Sequence, residues 1–394
     1  MRILMVNKYY PPHVGGIEFH VRDLAEGLVT AGHAVRVLVC NNERRLVEES
    51  INGVEIVRLP RLFERASTPV ARHFGQVLVH EAANADIVHF HFPYPWGEFE
   101  WVGQLASKAV PYVITYHSDI VRQKTALAFY KPFLDRFLNR SRLIMASSPQ
   151  LIRYSPWLAP RAAKCRQVDF GLPLDHIAGN AAAIRRGRQL RAEWSPDGAP
   201  IVLFVGRLIY YKGIEVLARA IPLVPNAHFV IVGRGPERAR LDGLVSAHPE
   251  LADRVHVIDW LDDGDLAGAY HAADLFTLPS VAPSEAFGLV QIEAQAAGIP
   301  VVSTRLRTGV PYANLDGVTG LTVMPGNADG LAGAINTLLS DEDLRRRLGD
   351  QAQERATTQF TIPRMVEHVT AVYAQASAAT PQPDTPDTPD TGGA

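Results

Sequence analysis

The sequence predicts an α/β protein made of two doubly wound parallel sheets that face each other across a cleft. Three observations carry that expectation. Short apolar runs alternate with amphipathic stretches from Ile3 to about residue 170, the rhythm breaks over residues 171–199, and a second alternating set begins at Ile201. Strands that recur with helices between them pair in parallel. Ligands of such sheets bind beyond the carboxyl ends of the strands.

In the first half, strands are expected at 3–6, 34–39, 54–58, 87–90, 112–115 and 143–146, with helices at 18–31, 69–84, 98–109, 124–139 and 149–157. Residues 171–199, bounded by Gly171-Leu172-Pro173 and Ser195-Pro196-Asp197-Gly198, read as a connection between domains. The second half places strands at 201–205, 228–232, 255–258, 275–278, 300–303 and 320–323, and helices at 213–220, 237–246, 266–272 and 289–297. Three more helices, near 328–339, 342–357 and 362–375, close the fold. The tail 379–394 repeats Pro-Asp-Thr, has nothing apolar to bury and is expected to be disordered.

Along helix 124–139, Phe129, Phe133, Phe137, Leu134 and Leu138 recur at helical spacing while Lys124, Lys131, Arg136 and Arg140 supply cations. This reads as a core-facing helix with a basic outer side. The other reading is a surface that rests on anionic lipid headgroups.

Composition narrows the classes further. A 47% hydrophobic and 20% charged chain is that of a soluble globular protein. Only Cys40 and Cys165 are present, so no disulfide framework or cysteine-rich metal site is possible, which suits a reducing cytosol. The amino terminus runs straight into Ile3-Leu4-Met5-Val6, too short an apolar run for a signal peptide, and no window approaches about 18 uninterrupted apolar residues. A cytoplasmic protein with at most peripheral contact at the inner face of the membrane is expected. Residues 1–175 hold 21 Lys+Arg against 16 Asp+Glu and the rest 18 against 25, so the first half is suited to an anionic partner. No nucleic-acid partner is expected.

The stretch Pro283-Ser284-Glu285-Ala286-Phe287-Gly288-Leu289-Val290-Gln291-Ile292-Glu293 reads as a tight loop entering a helix. Helix phase puts Leu289, Ala296 and Ala297 on one face with Glu293, and Gln291 and Gln295 on roughly the opposite face. A carboxylate on an apolar face is costly unless something binds it, so Glu293 is either in a buried ion pair or facing a ligand. Glu285 could be an ordinary acid at a helix start. Gly288 in the first turn would let a ligand approach free N–H groups at the positive helix end. Together these imply a pocket for a polar, hydroxyl-rich, anionic ligand.

Glu285 and Glu293, with Phe287-Gly288 between them, resemble the E-x7-E signature of the retaining glycosyltransferases of family 4, which have the two-domain GT-B fold. Three further segments resemble the family in its own order. Gly206-Arg207 to Lys212-Gly213 is similar to its G-R-L-x-x-x-K-G segment, Pro12 to Gly16 to its P-x-x-G-G loop, and Thr115 to Asp119 to its T-x-H-x-D stretch. Independently of the family, Arg207 follows a buried strand and Lys212 precedes a helix N-terminus, where a cation is unfavourable without an anion. A lone His after a strand, like a glycine pair before a helix, is by itself most often structural.

The resemblance implies GT-B architecture, with a first Rossmann-like domain over 1–170 on the acceptor side, a nucleotide-sugar-binding domain over 200–360 and a helix over 361–378 crossing back to the first. It implies transfer of a hexose from a nucleotide-diphosphate sugar, GDP-mannose or a UDP-hexose, to a hydroxyl of a glycan or lipid-linked acceptor. The stereochemistry would be retained and no metal or other cofactor required. Arg207, Lys212 and the helix start at Gly288-Leu289 would hold the diphosphate, Gly15, Gly16, Gly206 and Phe287 would line the donor site, and Glu293 would accept from the ribose. Glu285 would hold the donor sugar, His117 would contact the transferred sugar, and Asp119 would be its weaker companion. A nucleotide-sugar epimerase of similar fold and a silent nucleotide-sugar-binding protein are the alternatives.

Other signals are set aside. Asp263-Gly264-Asp265 matches a D-x-D metal pattern but sits where Asp is an ordinary helix cap. Gly233-Arg234-Gly235 lacks the third glycine of a dinucleotide fingerprint. His89 and His91 alternate on a strand with no third ligand in view, so no zinc site is expected.

Overall fold

A computed structural model of the chain describes residues 1–65, 68–104, 110–120 and 124–378. The tail 379–394, residues 105–109 of the expected helix 98–109, and the side chains of Lys124 and Phe129 lie outside the described residues.

The first half carries β1 (Arg2–Val6), α1 (Gly16–Thr30), β2 (Ala34–Cys40), β3 (Val47–Ile51), β4 (Val54–Leu59), β5 (Arg61–Arg65) and β6 (Thr68–Ala71). It continues with α2 (Phe74–Ala82), β7 (Ile87–Phe92), α3 (Pro95–Gly103), β8 (Tyr112–Tyr116), α4 (Lys124–Arg140), β9 (Leu143–Ala146), α5 (Pro149–Tyr154) and β10 (Cys165–Gln167). The second half begins with α6 (Ala181–Trp194), β11 (Ile201–Val205), α7 (Ile214–Ala220), β12 (His228–Val232), α8 (Arg238–Ala247), β13 (Val255–Ile258) and α9 (Asp263–Ala272). Then come β14 (Leu275–Leu278), α10 (Val290–Ala296), β15 (Val301–Thr304), α11 (Val310–Ala313) and β16 (Gly320–Val323). Helices α12 (Ala328–Ser340), α13 (Glu342–Gln359) and α14 (Ile362–Ala378) follow.

The first sheet has the order β10-β9-β8-β7-β1-β2-β4-β3, parallel except for β3. The second, β13-β12-β11-β14-β15-β16, is parallel throughout. Its central strand, Ile-Val-Leu-Phe-Val over β11, is buried at every position, as a parallel strand covered on both faces must be. In each sheet the strand order reverses beside the first strand: between β1 and β7, and between β11 and β14. Such a switch point opens a crevice at the strands' carboxyl ends, and the loops after β11 and β14 meet there.

Helix α14 returns to the first sheet. Met365, Val366, Val369, Val372 and Tyr373 join Ile3, Met5 and Leu24 in one core, and burying each such Val or Met stabilises by about 1.5–3 kcal/mol. Gly27 lets α1 and α14 touch, since a Cβ there would come within 2.8 Å of both Val366 and Ile362. The chain thus passes between the sheets twice, and the two passes run side by side. Leu172 N–H donates to the Phe360 carbonyl (3.0 Å), and a Cβ on Gly171 would fall 2.7 Å from the Ile362 backbone.

Several expectations are corrected. The expected helix 69–84 is a strand, β6, followed by a shorter helix, because Pro69 and Val70 suit an extended edge and His73 takes a left-handed φ of 57° just before α2. The charged strand β3 has no apolar alternation to reveal it; an exposed edge needs none. Residues 171–199 hold more than a connection. Asn180 caps α6 by accepting from Ala182 and Ala183 N–H groups (3.0 and 3.1 Å), and α6 packs on α9 where Gly187 nears Gly268. On α4, Leu134, Phe137 and Leu138 are buried while Lys131, Phe133 and Arg136 are exposed. Phe133, taken above as part of the apolar run, instead lies on the outer side against Phe99, ring centroids 5.1 Å apart.

Candidate active site

Two loops build the core of the site. After β11, Gly206 takes a φ of 153° and Gly213 a φ of 75°, and the turn between them carries Arg207 and Lys212. After β14, the chain runs through Ser280 to Glu285 and into α10. Lys212 Nζ lies 2.6 Å from Glu285 Oε2, with both side chains about nine-tenths buried (11% and 9% exposed). Ser280 Oγ donates to the same oxygen (3.0 Å). Gly213 permits this meeting: a Cβ there would fall 2.0 Å from the Pro279 carbonyl oxygen. Arg207 is exposed, its Nη2–H making a long donation to Tyr211 OH (3.4 Å).

Helix α10 is turned the other way from expectation. Gln291 and Gln295, assigned to the outer face, are fully buried. Gln291 Nε2 donates to the Phe287 carbonyl (2.9 Å) and Gln295 Nε2 to the Ala313 carbonyl (2.8 Å), so these amides staple loops that a solvated face could not hold. Glu293 is half-buried on the other side, where its Oε2 accepts from Tyr270 OH (2.6 Å). Burial pushes its carboxyl up from the usual range, and the Tyr270 hydrogen bond partly opposes that.

Gly288 has a φ of 76°, and a Cβ on it would meet Leu278 Cδ2 at 2.5 Å. Local conformation alone therefore demands glycine. Among the described residues no backbone acceptor is recorded for the Gly288 and Leu289 N–H groups, which leaves them as donors at the helix start. Gly15 is extended, and Glu18 folds its carboxylate to 2.1 Å from where a Gly15 Cβ would sit. An acid of the chain itself thus occupies the place expected to face an anion; Gly16 faces open space.

His117 is buried and shares a 3.1 Å contact between its Nε2 and His91 Nδ1. Phe170 stacks parallel to it (6.0 Å, 4°) and meets Phe287 edge-on (5.0 Å, 88°). This aromatic chain joins His117 in the first sheet's loops to the Glu285–Gly288 loop in the second's. His20 also packs edge-on against His117 (5.0 Å). Burial holds His20, His89, His91 and His117 all below the usual imidazole range. Asp119 is committed locally, accepting from Tyr116 OH (2.7 Å) and Ser155 Oγ (2.6 Å) through Oδ1.

The D-x-D carboxylates also have local work. Asp262, not Asp263, caps α9 by accepting from Asp265 N–H (2.8 Å), and Asp265 pairs with Arg186 (2.6 Å). Gly233 and Gly235 let their loop press on the Gly206–Leu208 turn, where a Cβ on Gly233 would lie 1.9 Å from the Gly206 carbonyl oxygen. Tyr270, Ser280 and Phe170, which contact Glu293, Glu285 and His117, were not expected from the sequence. Nothing in their local sequence marks them: Tyr270 and Phe170 meet residues far away in the chain, and Ser280 meets Glu285 through the turn between them.

Two facing α/β units, with a cation and a carboxylate locked together at the second switch point, have the architecture of the GT-B glycosyltransferases. Comparison with known proteins agrees. Residues 14–168 match the family described as Glycosyltransferase Family 4 and residues 187–355 match Glycosyl transferases group 1. O-antigen chain mannosyltransferase C of Escherichia coli is 30% identical over 378 residues, covering 95% of this chain and 98% of that one. D-rhamnosyltransferase WbpZ of Pseudomonas aeruginosa is 32% identical over 363 residues, 92% of each chain. The solved sucrose-phosphate synthase of Thermosynechococcus elongatus superposes with a TM-score of 0.76 at 27% identity, covering 96% of this chain and all of that one. The chain belongs to the group 1, family 4 glycosyltransferases.

A pH test isolates Glu293. A carboxyl whose folded pKa is raised binds its proton more tightly in the native than in the unfolded chain, so stability falls as pH rises from the ordinary glutamate value through the raised one. Glu293→Gln fixes the neutral form. The variant should match the wild type in melting temperature near pH 4 and exceed it increasingly as pH rises through the raised value. Its KM for a nucleotide sugar tests the ribose contact expected from the resemblance: a rise of about tenfold or more, the worth of a hydrogen bond to a charged group, supports that contact, and an unchanged KM removes it.

Proposed function

We propose that this protein moves a hexose from a nucleotide-diphosphate sugar to a hydroxyl of a glycan or lipid-linked acceptor, with retention at the anomeric carbon and without a metal. The observation that carries this reading is the buried Lys212–Glu285 pair at the β11/β14 switch point. A cation there meets a leaving diphosphate, and the carboxylate beside it meets the sugar. Arg207, exposed on the same turn, and the free N–H groups of Gly288 and Leu289 add fixed positive ends. Preorganised donors of this kind stabilise charge that develops on departure of a phosphate.

In this mechanism the acceptor hydroxyl attacks on the face from which the diphosphate leaves, and the departing phosphate oxygen takes its proton. No protein base is then needed. Glu285 holds the sugar hydroxyls and the positive charge growing at the ring, Glu293 accepts from the ribose, and His117 contacts the transferred sugar from the first sheet. The relatives named above for mannosyl and rhamnosyl transfer favour GDP-mannose or a related donor, and surface-polysaccharide synthesis as the setting. Among the described residues no helix is long and apolar enough to cross a membrane, so a lipid-linked acceptor would be met at a peripheral surface, for which the basic outer side of α4 is suited.

The test is a screen of nucleotide sugars for thermal stabilisation, followed by product analysis with donor and acceptor, with and without anionic vesicles. One nucleotide sugar at 100 times its Kd should stabilise by about 2.7 kcal/mol and give an acceptor-linked product of retained configuration, in chelator as well as without it. Inverted product, or activity that needs added manganese, would overturn the mechanism. Free sugar released from donor alone would favour the epimerase alternative.

A further inference from the structure

We propose that His20, His91 and His117 form a second binding site, one that takes a single zinc-like transition-metal ion and, by holding His117, arrests sugar transfer. The arresting half rests on the sugar contact proposed for His117; the binding half does not.

The three rings come from α1, β7 and the loop after β8. One ring nitrogen from each lies within 4.8 Å of the others, and all three residues are buried. Tetrahedral zinc with Zn–N bonds of about 2.0–2.1 Å sets its nitrogen ligands about 3.4 Å apart. Closing the group therefore asks for side-chain shifts on the order of 1 Å.

The nitrogens have little other employment. Among the described residues, neither ring nitrogen of His20 nor Nε2 of His91, all buried, has a partner, although buried polar groups normally find one. His89, on the same strand as His91, is the contrast: Tyr373 OH and Thr115 Oγ1 each lie 2.7 Å from one of its nitrogens. It is a fixed neighbour, its ring centroid 4.4 Å from that of His91.

The 3.1 Å contact between His91 Nδ1 and His117 Nε2 holds one shared proton. An ion can take its place if that proton moves to the other nitrogen of the ring that carried it, so charge on the rings and the proton count are unchanged. A neutral imidazole is the form that binds zinc, copper or nickel. Three such ligands leave a fourth position for water. Phe170 walls the group, lying parallel to His117 and edge-on to His20.

The probe is cobalt(II), a spectroscopic substitute for zinc, titrated into untagged full-length protein freed of metal by chelator. One equivalent should bind with the visible bands of tetrahedral cobalt and be displaced by zinc. X-ray absorption at the zinc edge of the 1:1 complex should count three imidazoles. His20→Gln should weaken cobalt binding by more than about tenfold, since even changes behind the ligands cost 10- to 100-fold. Zinc should slow transfer by the wild type and not by His20→Gln. No stoichiometric binding, fewer than three imidazoles, or an unchanged cobalt spectrum in His20→Gln would overturn the site. The absorption measurement on wild-type protein decides the matter if that variant fails to fold. Binding without inhibition would overturn the arrest and strike at the sugar contact of His117, while leaving the metal site standing.

Discussion

Lys212→Ala is expected to lower kcat about 10²- to 10³-fold, the loss typical of removing one preorganised stabiliser of a developing anion. The same change strips Glu285 of its 2.6 Å partner, and leaving a buried charge uncompensated costs about 3–5 kcal/mol of stability. Activity and stability are therefore lost together in the single variant. The double variant Lys212→Met with Glu285→Leu separates them. Exchanging both members of a buried pair for hydrophobic groups of similar volume is often neutral or stabilising, so the double variant should melt close to the wild type and still transfer no sugar. Near-wild-type kcat in that protein, measured with the donor found by thermal screening, would reduce the pair to a structural device.

Gly213→Ala is expected to be among the most damaging glycine substitutions at the site. A non-glycine residue at its φ of 75° costs about 1–2 kcal/mol. The added Cβ would also sit 2.0 Å from the Pro279 carbonyl oxygen, a backbone atom at the end of β14 that cannot swing aside. Strain and displacement together should cost roughly 3 kcal/mol or more and draw Lys212 away from Glu285. Gly179 is the control: its φ is 64°, and nothing lies within 4 Å of its Cβ position. Gly179→Ala should cost about 1–2 kcal/mol and leave kcat unchanged. Equal losses of melting temperature in the two variants would mean that the dihedral alone, not contact with β14, sets the cost.

Much of this was legible in the sequence because parallel strands buried on both faces are unbroken apolar runs. Ile201–Val205 and Leu275–Leu278 needed no tertiary information, and the positions of Arg207 and Lys212 after the first and of Glu285 after the second followed from them. What could not be read was whatever depends on a distant partner. Gln291 and Gln295 were placed opposite the apolar face because polarity alone was visible, while the carbonyls of Phe287 and Ala313 that satisfy them were not. The neighbours of His91 were hidden because His20 and His117 reach it from other elements. The edge strand β3 was hidden for the opposite reason: a strand whose middle is Glu48-Glu49-Ser50 has no burial to advertise.

The side-by-side passes at Gly171–Leu172 and Phe360–Ile362 have a mechanical consequence. Two tethers fastened at one spot act like the pin of a pair of scissors: the lobes can swing open and shut about it, but they cannot slide past one another. A swing of that kind would need only a few backbone torsions at the pin.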